Sequence, residues 1–287
     1  MSAIKTIRIS PQEMKSTFIK KLMVFDFSAE DAEKCATIFT ENSLDGVYSH
    51  GVNRFPRFVD YLKRCLMLPK NKPQLKKQMG VIEQWDGAMG AGPLNAFFAT
   101  NRALELAEEN GMGCIALSNT NHWMRGGYYG WQAAKKGYLY IGWTNTTAIM
   151  PAWGAQDSKL GNNPLVVGIP YRKEAIVLDM SMSQFSYGAM ELASLKNQKL
   201  PVTGGYDSDG NLTDDPDAIL QSLRTLPVGF WKGSGLSFVL DVMAAILSDG
   251  LAVHQVAQKE EEISCYKIFI TDIYKFSKFI NFISCLK

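Results

Sequence analysis

Residues 112–144 read MGCIALSNTNHWMRGGYYGWQAAKKGYLYIGWT, and this stretch decides the fold class. Residues 114–117 are a short apolar run typical of a buried strand. Residues 126–136 favour a short helix, and residues 138–144, rich in aromatic residues, favour another strand. A strand, a helix and a strand in succession predict an α/β protein.

The same alternation continues on both sides of this stretch. Residues 81–85 and 175–178 are predicted strands. Residues 93–110 are a predicted helix, with Gly111 placed to end it. Residues 234–248 form a strongly apolar helical pattern. The sequence therefore predicts one α/β core over residues 76–265.

The N-terminal part has a helical pattern instead. Ser10 begins a capping box, and helical spacing of apolar residues follows it. Residues 28–44 predict a second helix, and residues 52–66 a third, interrupted or kinked at Pro56. A connector rich in lysine and proline, residues 69–77, follows. We therefore expect a helical N-terminal segment over residues 1–75, separate from the core.

Composition excludes several classes of protein. The 287 residues carry 30 Lys and Arg against 28 Asp and Glu, so there is no broad basic surface for nucleic acid. An apolar fraction of 46% excludes general disorder, and no apolar run is long enough to span a membrane. Five scattered cysteines and no signal-peptide pattern favour a reduced, cytoplasmic protein.

The glycine motifs do not predict a common nucleotide-binding fold. Residues 87–92, GAMGAG, have the wrong spacing for the Rossmann fingerprint. Residues 231–235, WKGSG, lack the spacing of a phosphate-binding P-loop. By motif alone, a Rossmann enzyme or a P-loop ATPase is disfavoured.

The first informative cluster of polar residues is residues 48–54, YSHGVNR. A histidine donates protons near neutral pH, and an arginine binds a carboxylate through two hydrogen bonds. His50 and Arg54 are four apart and would share a face if both lay on one helix. This combination would suit reduction of a 2-keto acid, although a surface loop with an incidental histidine is the alternative. A serine-protease site is weaker, because adjacent Ser49 and His50 side chains need not face each other.

The second cluster is residues 119–127, NTNHWMRGG, which follow the predicted buried strand. The carboxyl ends of strands commonly carry ligand-binding groups in α/β proteins. The amides and His122 would suit a polyhydroxylated substrate or a cofactor, and the alternative is a capped loop that enters the next helix. Without a matching group of carboxylates, the histidines do not predict a metal site.

The last 22 residues, 266–287, have an atypical composition. Lysine, isoleucine, phenylalanine and tyrosine supply 15 of them. One interpretation is an amphipathic helix with Phe269, Ile273, Phe276, Ile280 and Ile283 on one face. The other is a sequence foreign to the rest of the chain, produced by a frameshift.

Four long segments in order resemble the type-2 malate/L-lactate dehydrogenase family of NAD(P)-dependent oxidoreductases. These are residues 46–56 (GVYSHGVNRFP), 121–127 (NHWMRGG), 178–183 (LDMSMS) and 231–235 (WKGSG). The resemblance implies an α/β, non-Rossmann fold with a mixed sheet in the nucleotide-binding core. It stops at about Thr271, whereas family members continue for some tens of residues, including a Gly-His-Glu segment.

The resemblance also implies the roles of individual residues. His50 would be the proton donor, with Ser49 and Arg54 beside it and His122 in the substrate pocket. The implied cofactor is NADH, with NADPH as the alternative, held by Ala175, Ile176, Val177, Leu178, Asp179, Met180, Ser181, Trp231 and Lys232. From their chemistry, Asp179 would hydrogen-bond a cofactor hydroxyl or amide and Lys232 would meet a phosphate.

The resemblance makes the expected activity reduction of a 2-keto acid, most specifically a sugar-derived 2,3-diketo acid, in a cytoplasmic homodimer. No nucleic-acid or membrane partner is expected. One alternative is a malate- or lactate-type 2-hydroxy acid dehydrogenase. Another is a truncated, catalytically impaired member that acts as a non-catalytic subunit or is a decay product.

Overall fold

The computed structural model describes residues 8–258, and residues 267–275 as a backbone strand. The helices of the described part are α1 Pro11–Met23, α2 Ala29–Leu44, α3 Phe55–Lys63, α4 Gly92–Asn110, α5 Gly126–Lys135, α6 Tyr187–Leu195, α7 Pro216–Ser222, α8 Trp231–Ser248 and α9 Val253–Val256. The strands are β1 Gln74–Met79, β2 Ile82–Asp86, β3 Met112–Thr120, β4 Tyr138–Thr144, β5 Met150–Pro151, β6 Ser158–Leu160, β7 Leu165–Tyr171, β8 Glu174–Met180, β9 Gly205–Tyr206, β10 Leu212–Thr213 and β11 Lys267–Lys275.

Seven strands form one mixed sheet in the order β1-β2-β3-β11-β4-β7-β8. Strands β2 and β3 are parallel and joined through α4, and the other neighbouring pairs are antiparallel. Strand β11 lies between β3 and β4 and pairs with both, so that Ile270 is opposite Ala116 on one side and Trp143 on the other. The predicted α/β class with a mixed sheet is confirmed.

Strand β3 is buried on both faces of the sheet, as its apolar run predicts. Ile115 and Leu117 pack in the cluster formed with α4 and α5. Cys114 and Ala116, which alternate with them, pack in the cluster formed with α8. Side chains of a strand point alternately to opposite faces, so this strand has a helix layer on each side.

Helix α5 lies unusually close to the sheet at two glycines. A Cβ atom on Gly168 of β7 would lie 2.7 Å from the carbonyl oxygen of Gly130 of α5. A Cβ on Gly130 would lie 3.0 Å from the Val166 side chain. Both positions therefore need glycine for close backbone approach.

A buried ion pair joins β2 to α4 on the same face. Arg102 donates from Nε and Nη2 to the two carboxylate oxygens of Glu83, at 3.0 and 2.7 Å. Trp85 Nε1 also donates to Glu83, at 2.9 Å. Burial raises the pKa of Glu83, but the hydrogen bonds from Arg102 and Trp85 outweigh it and hold that pKa below its ordinary value.

On the opposite face of the sheet, helix α8 packs across the strands. Only the side of the helix that faces the strands is buried. Leu240 and Ala244 are buried against the sheet, and Gln84 of β2 donates to the Leu247 carbonyl near the end of the helix. The other side of α8 presents exposed apolar side chains: Trp231, Leu236, Phe238, Val239, Val242, Met243 and Ile246. None of the described helices is long and apolar enough to cross a membrane.

The three N-terminal helices form a cluster of their own around stacked phenylalanines. Phe18 of α1, Phe39 of α2 and Phe55 of α3 make mutual ring contacts. The third helix begins at Phe55, where Pro56 takes a first-turn position. The prediction of a helix from residue 52 with a kink at Pro56 is therefore wrong, because proline at this position starts the helix.

Other differences from the sequence prediction concern strands, and the short strands β5, β6, β9 and β10 were not predicted. Strand β1 begins inside the connector, residues 69–77, and β7 was not predicted. The amphipathic-helix interpretation is wrong for Lys267–Lys275, because the backbone of this segment pairs with strands on both sides. Residues 276–287 lie outside the described residues. The division at residues 75 and 265 stays a prediction.

Candidate active site

A cleft lies between the loop that follows α2, the loop that follows β3 and the edge strand β8. It consists of two adjoining cavities of about 320 and 440 Å³, within the range of small-molecule sites. Six polar residues line both cavities: Ser49, His50, His122, Thr146, Asn162 and Ser186. The two polar sequence clusters thus meet in one place.

His50 lies at the end of a 3₁₀ turn, Tyr48–His50, that is fastened to α2. Asn42 Nδ2 donates to the His50 carbonyl at 3.1 Å, and Ser43 Oγ accepts from the Val52 amide at 2.9 Å. A Cβ on Gly51 would lie 2.3 Å from Ser43 Oγ, so glycine is required for the turn to approach the helix. These contacts give the His50 side chain a fixed base.

Ser49 and His50 do face each other. Ser49 Oγ lies 2.9 Å from His50 Nδ1. On the other side of Ser49, a Cβ on Gly188 of α6 would lie 2.5 Å from the Ser49 Cβ. Adjacent side chains need not face each other, but the 3₁₀ turn brings these two together.

Arg54 lies at the cleft, but it does not share a helix face with His50 there, because residues 51–54 form a turn before α3. Arg54 nevertheless lines the second cavity together with His50, and Arg57 lines it from the first turn of α3. Arg57 also donates to Glu191 of α6 at 3.1 Å. Two guanidinium groups therefore line this cavity, and that of Arg57 is paired with a carboxylate.

His122 enters the cleft from the loop that follows β3. Its ring centroid lies 5.6 Å from that of His50. Its Nδ1 accepts a hydrogen bond from the Met124 backbone amide at 2.9 Å. The two rings are therefore close enough to contact one small ligand together.

The rest of this loop holds His122 in place. Asn121 Nδ2 donates to the Gly90 carbonyl at 3.0 Å, and buried Trp123 stacks on Tyr129 of α5. Arg125 forms an ion pair with Asp45 and lies 4.6 Å from the Trp131 ring centroid. This loop lines the cleft and leads into α5, whose N-cap residue Arg125 makes no side-chain capping hydrogen bond, and ligand binding by the cluster stays a prediction.

The expected cofactor residues of β8 divide between the two faces of the sheet. Val177 packs under α5, whereas Ile176 and Leu178 on the opposite face are 47% and 50% exposed. Met180 continues this second face into the cluster under α8. Ala175 is half-buried near the turn between β7 and β8, and Ser181 borders the first cavity.

Asp179 lies within β8 and also borders the first cavity. Its Oδ2 accepts from the Gly127 amide, in the first turn of α5, at 2.7 Å. Burial raises the pKa of Asp179, and the Gly127 amide and the nearby Arg125 charge oppose that rise only in part. The carboxylate therefore fixes the beginning of α5 at the cleft. A hydrogen bond from Asp179 to a cofactor stays a prediction.

Trp231 and Lys232 form the exposed first turn of α8, outside the walls of the two cavities. A Cβ on Gly233 would lie 3.0 Å from the Met182 carbonyl, so this turn abuts the chain just after β8. Next along the helix, a Cβ on Gly235 would have no atom within 4 Å. The exposed side chains of Ile176 and Leu178 form an apolar strip on β8, and the N-terminus of α8 with Lys232 lies beyond its end. An apolar surface of this kind suits the flat rings of a dinucleotide, and a helix N-terminus beside a lysine suits its phosphates.

Several cleft residues were not predicted. Thr146 Oγ1 donates to Asn162 Oδ1 at 2.8 Å, and Ser186 caps α6. The signal available in the sequence is the polar run at residues 161–163, GNN, directly before an apolar strand. Within the described residues, no group of three or more His, Cys, Asp or Glu side chains is placed to hold a metal ion.

The sequence and the fold match known oxidoreductases. Residues 9–281 match a family model described as malate/L-lactate dehydrogenase, whose members act on CH–OH groups with pyridine nucleotides. The chain belongs to the malate/L-lactate dehydrogenase family. The match continues past Thr271, so the expectation that the resemblance stops there is wrong.

Individual relatives agree with the family assignment. The chain is 48% identical over 265 residues to 2,3-diketo-L-gulonate reductase of Citrobacter koseri, covering 92% of this chain and 80% of the relative. The structure of sulfolactate dehydrogenase from Methanocaldococcus jannaschii is 30% identical, with a TM-score of 0.84 over 94% of this chain and 78% of that one. Malate dehydrogenase from Entamoeba histolytica has the same fold, with a TM-score of 0.91 at 23% identity, covering 99% of this chain and 82% of that one.

Proposed function

We propose that this chain reduces the keto group of a 2-keto acid, most specifically 2,3-diketo-L-gulonate to 3-dehydro-L-gulonate. The observation that carries the proposal is the cleft in which His50, His122 and Arg54 converge. The 48% identity to a 2,3-diketo-L-gulonate reductase supports the choice of substrate. A small carboxylic acid with several oxygens matches the many polar residues and the Arg54 guanidinium group of this cleft.

The proton donor in this proposal is His50. In the protonated imidazolium form, Nδ1–H would donate to Ser49 Oγ, which lies 2.9 Å away, and Nε2 would carry the proton to be transferred. Protonation of the carbonyl oxygen as the alcohol forms is general acid catalysis. Arg54 would bind the substrate carboxylate and hold the keto group towards His50. Ser49 thus orients the ring, and we propose that it also lies against the bound acid.

The cofactor proposed is NADH, with NADPH as the alternative, and when bound it supplies the hydride. The strip of Ile176, Leu178 and Met180 would support its rings, and Lys232 at the start of α8 would meet a phosphate. Asp179 and Ser181 connect this strip with the cleft, because both border the first cavity. This continuity supports one site for both ligands.

A second candidate function is a 2-hydroxy acid dehydrogenase of the malate or lactate type. The 30% identity to a sulfolactate dehydrogenase favours it, and the same cleft would bind such acids. Comparing turnover of the diketo acid with that of oxaloacetate and pyruvate separates the two candidates.

We also propose that the chain works as a cytoplasmic homodimer. The exposed apolar side of α8 supports this, since exposed apolar patches of this kind mark interfaces or ligand grooves. The scattered cysteines favour a reducing compartment. Sedimentation equilibrium of the purified chain tests the dimer directly.

The test of the proposed reaction is the oxidation of NADH by the purified chain with 2,3-diketo-L-gulonate. His50→Ala should lower kcat by about 10²–10⁴-fold, the usual contribution of a general acid. His254→Ala is the matched control, because His254 is exposed and lies outside both cavities. Unchanged turnover in His50→Ala would remove His50 from the mechanism, and the absence of NADH oxidation by the wild-type chain would contradict the proposed reaction.

A further inference from the structure

Helix α8 carries a single charge inside its apolar pattern. Asp241 is the only charged residue between Gly233 and Ser248, and it is buried, with 6% of its surface exposed. Burial raises the pKa of Asp241, as expected for a carboxylate kept away from water. A buried carboxylate costs free energy unless hydrogen bonds compensate for the lost water. The contacts of this residue therefore need an explanation beyond packing.

The hydrogen bonds of Asp241 join two loops to the helix. Asn145, which directly follows β4, donates from Nδ2 to Asp241 Oδ1 at 3.0 Å. The backbone amide of Val253, the first residue of α9, donates to Oδ1 at 2.9 Å and to Oδ2 at 3.1 Å. Asn145 Nδ2 also donates to the Leu251 carbonyl at 2.8 Å. One carboxylate therefore fastens the end of β4 and the beginning of α9 to the same point of α8.

Ser237, four residues earlier and on the same side of α8, holds a third loop. Asn163 Nδ2 donates to the Ser237 carbonyl at 3.0 Å and lies 3.1 Å from its hydroxyl oxygen. The Ser237 hydroxyl in turn donates to the Gly161 carbonyl at 2.7 Å. Asn163 Oδ1 accepts from the Thr146 amide at 2.9 Å. Ser237 and Asn163 are both 0% exposed, so this connection is shielded from water.

The three loops held by α8 form one wall of the cleft. This core wall consists of Thr146, Asn162, Val256 and Ala257, and the first two line both cavities whereas the last two line the second. Residues 145–149 and 161–164 belong to no helix or strand, so the pairing of the sheet does not fix them. The buried hydrogen bonds to Ser237 and Asp241 take that role.

We propose that Asp241 and Ser237 are positioning residues, which hold the core wall in the place that the acid substrate requires. This inference rests on the proposed function. Neither residue lines the two cavities, so both act through the loops that they hold. A displacement of about 1 Å at a binding wall is enough to reduce turnover strongly. Since α8 also begins at Trp231 and Lys232, one helix would set the positions of substrate and cofactor.

The first test compares Asp241→Leu with Asp241→Asn in steady-state kinetics. Leucine has a similar size but no acceptor, so it leaves the Asn145 and Val253 donors buried without their partner. We expect Asp241→Leu to lower kcat/KM for 2,3-diketo-L-gulonate by about 10–100-fold, mostly through a higher KM. Asparagine keeps Oδ1, which accepts from both donors, and should stay within about threefold of wild type.

The division between KM and kcat separates positioning from a loss of folded protein. A smaller folded fraction lowers kcat and leaves KM unchanged, so that pattern in Asp241→Leu would overturn the proposal. An Asp241→Asn variant as impaired as Asp241→Leu would assign the effect to the charge and would overturn it too. Asp249→Asn is the matched control, because Asp249 ends the same helix, is exposed and lies outside both cavities.

The second test is hydrogen exchange of the full chain, followed by mass spectrometry, and it needs no activity. In Asp241→Leu, peptides that contain residues 143–149 and 251–257 should exchange about tenfold faster than in wild type, whereas peptides of α4 should not change. Unchanged exchange in the two loops, or faster exchange over the whole chain, would contradict a wall held by Asp241.

Ser237→Ala provides an independent variant should Asp241→Leu fail to fold. It removes one hydroxyl, and we expect faster exchange at residues 161–164 and a higher KM, with the loops around Asp241 unchanged. Faster exchange with an unchanged KM would mean that the wall does not position the substrate, which refutes the inference. If the wild-type chain oxidises no NADH, the proposed function fails, and the exchange data still decide whether α8 holds the wall.

Discussion

On one face of the central sheet, α4 and α5 bury a continuous apolar layer that includes Ile115, Leu117 and Tyr129. On the other face, α8 buries Leu240 and Ala244 but leaves its outer side exposed. The exposed side of α8 is nevertheless apolar in sequence. The difference teaches that apolar character alone does not distinguish a buried core from an exposed surface.

The largest effect on stability is expected on the face of the sheet that α4 and α5 cover. Leu117→Ala removes a side chain that is 0% exposed and leaves a cavity under α4, which should lower the free energy of unfolding by about 2–5 kcal/mol. Urea unfolding followed by circular dichroism measures this. A loss below 1 kcal/mol would show that the layer repacks easily, contrary to the close approach of Gly130 and Gly168.

A smaller effect is expected from the ion pair on the same face. Glu83→Gln removes the charge that Arg102 and Trp85 bind, which should cost about 1–3 kcal/mol of unfolding free energy at neutral pH. Glu105→Gln is the matched control, because Glu105 pairs with the same arginine but is exposed.

The pH dependence of this pair has a definite sign. The pKa of Glu83 is lower in the folded chain than its ordinary value of 4.5, so its stabilisation is complete above that value. It is lost as the pH falls through the folded pKa. The difference in unfolding free energy between wild type and Glu83→Gln should therefore shrink in acid. A difference that stays constant below pH 4.5 would contradict a buried, ionised Glu83.

The smallest effect on the free energy of unfolding is expected on the exposed side of α8. Ile246 is 71% exposed, so Ile246→Ser should change the unfolding free energy of the monomer by about 0.5 kcal/mol or less. If a second subunit covers α8, the same change should weaken self-association in sedimentation equilibrium. If Ile246→Ser lowered the unfolding free energy of the monomer as much as Leu117→Ala does, the chain itself would have to bury this side of α8.

Local patterns predicted much of the fold. Strand β3 and helix α4 followed from an apolar run and from a glycine at the helix end, where Gly111 has a φ of 83°. Strand β7 escaped prediction because Gly168 and Pro170 interrupt its apolar pattern. Gly168 is needed there because Gly130 of α5 approaches it closely. The place of β11 between β3 and β4 depends on long-range pairing, which residue spacing does not encode.

The site shows the same division between local and long-range information. Ser49, His50 and Arg54 were found from residue chemistry and resemblance, but the turn that brings them together depends on the contact of Gly51 with α2. Thr146 and Asn162 were missed, because only tertiary structure brings their separate loops to the cleft. Likewise, the bond from Met124 to His122 depends on a left-handed residue that no sequence pattern marks.

The insertion of β11 between β3 and β4 determines when the sheet is able to form during synthesis. Strands β3 and β4 are synthesised early. Their common neighbour in the sheet, β11, is made only after all of β5–β10. Until then two unpaired strand edges stay available to other chains, and the long separation slows folding. The edges of β3 and β4 are therefore open to pairing with other chains until residues 267–275 have been made.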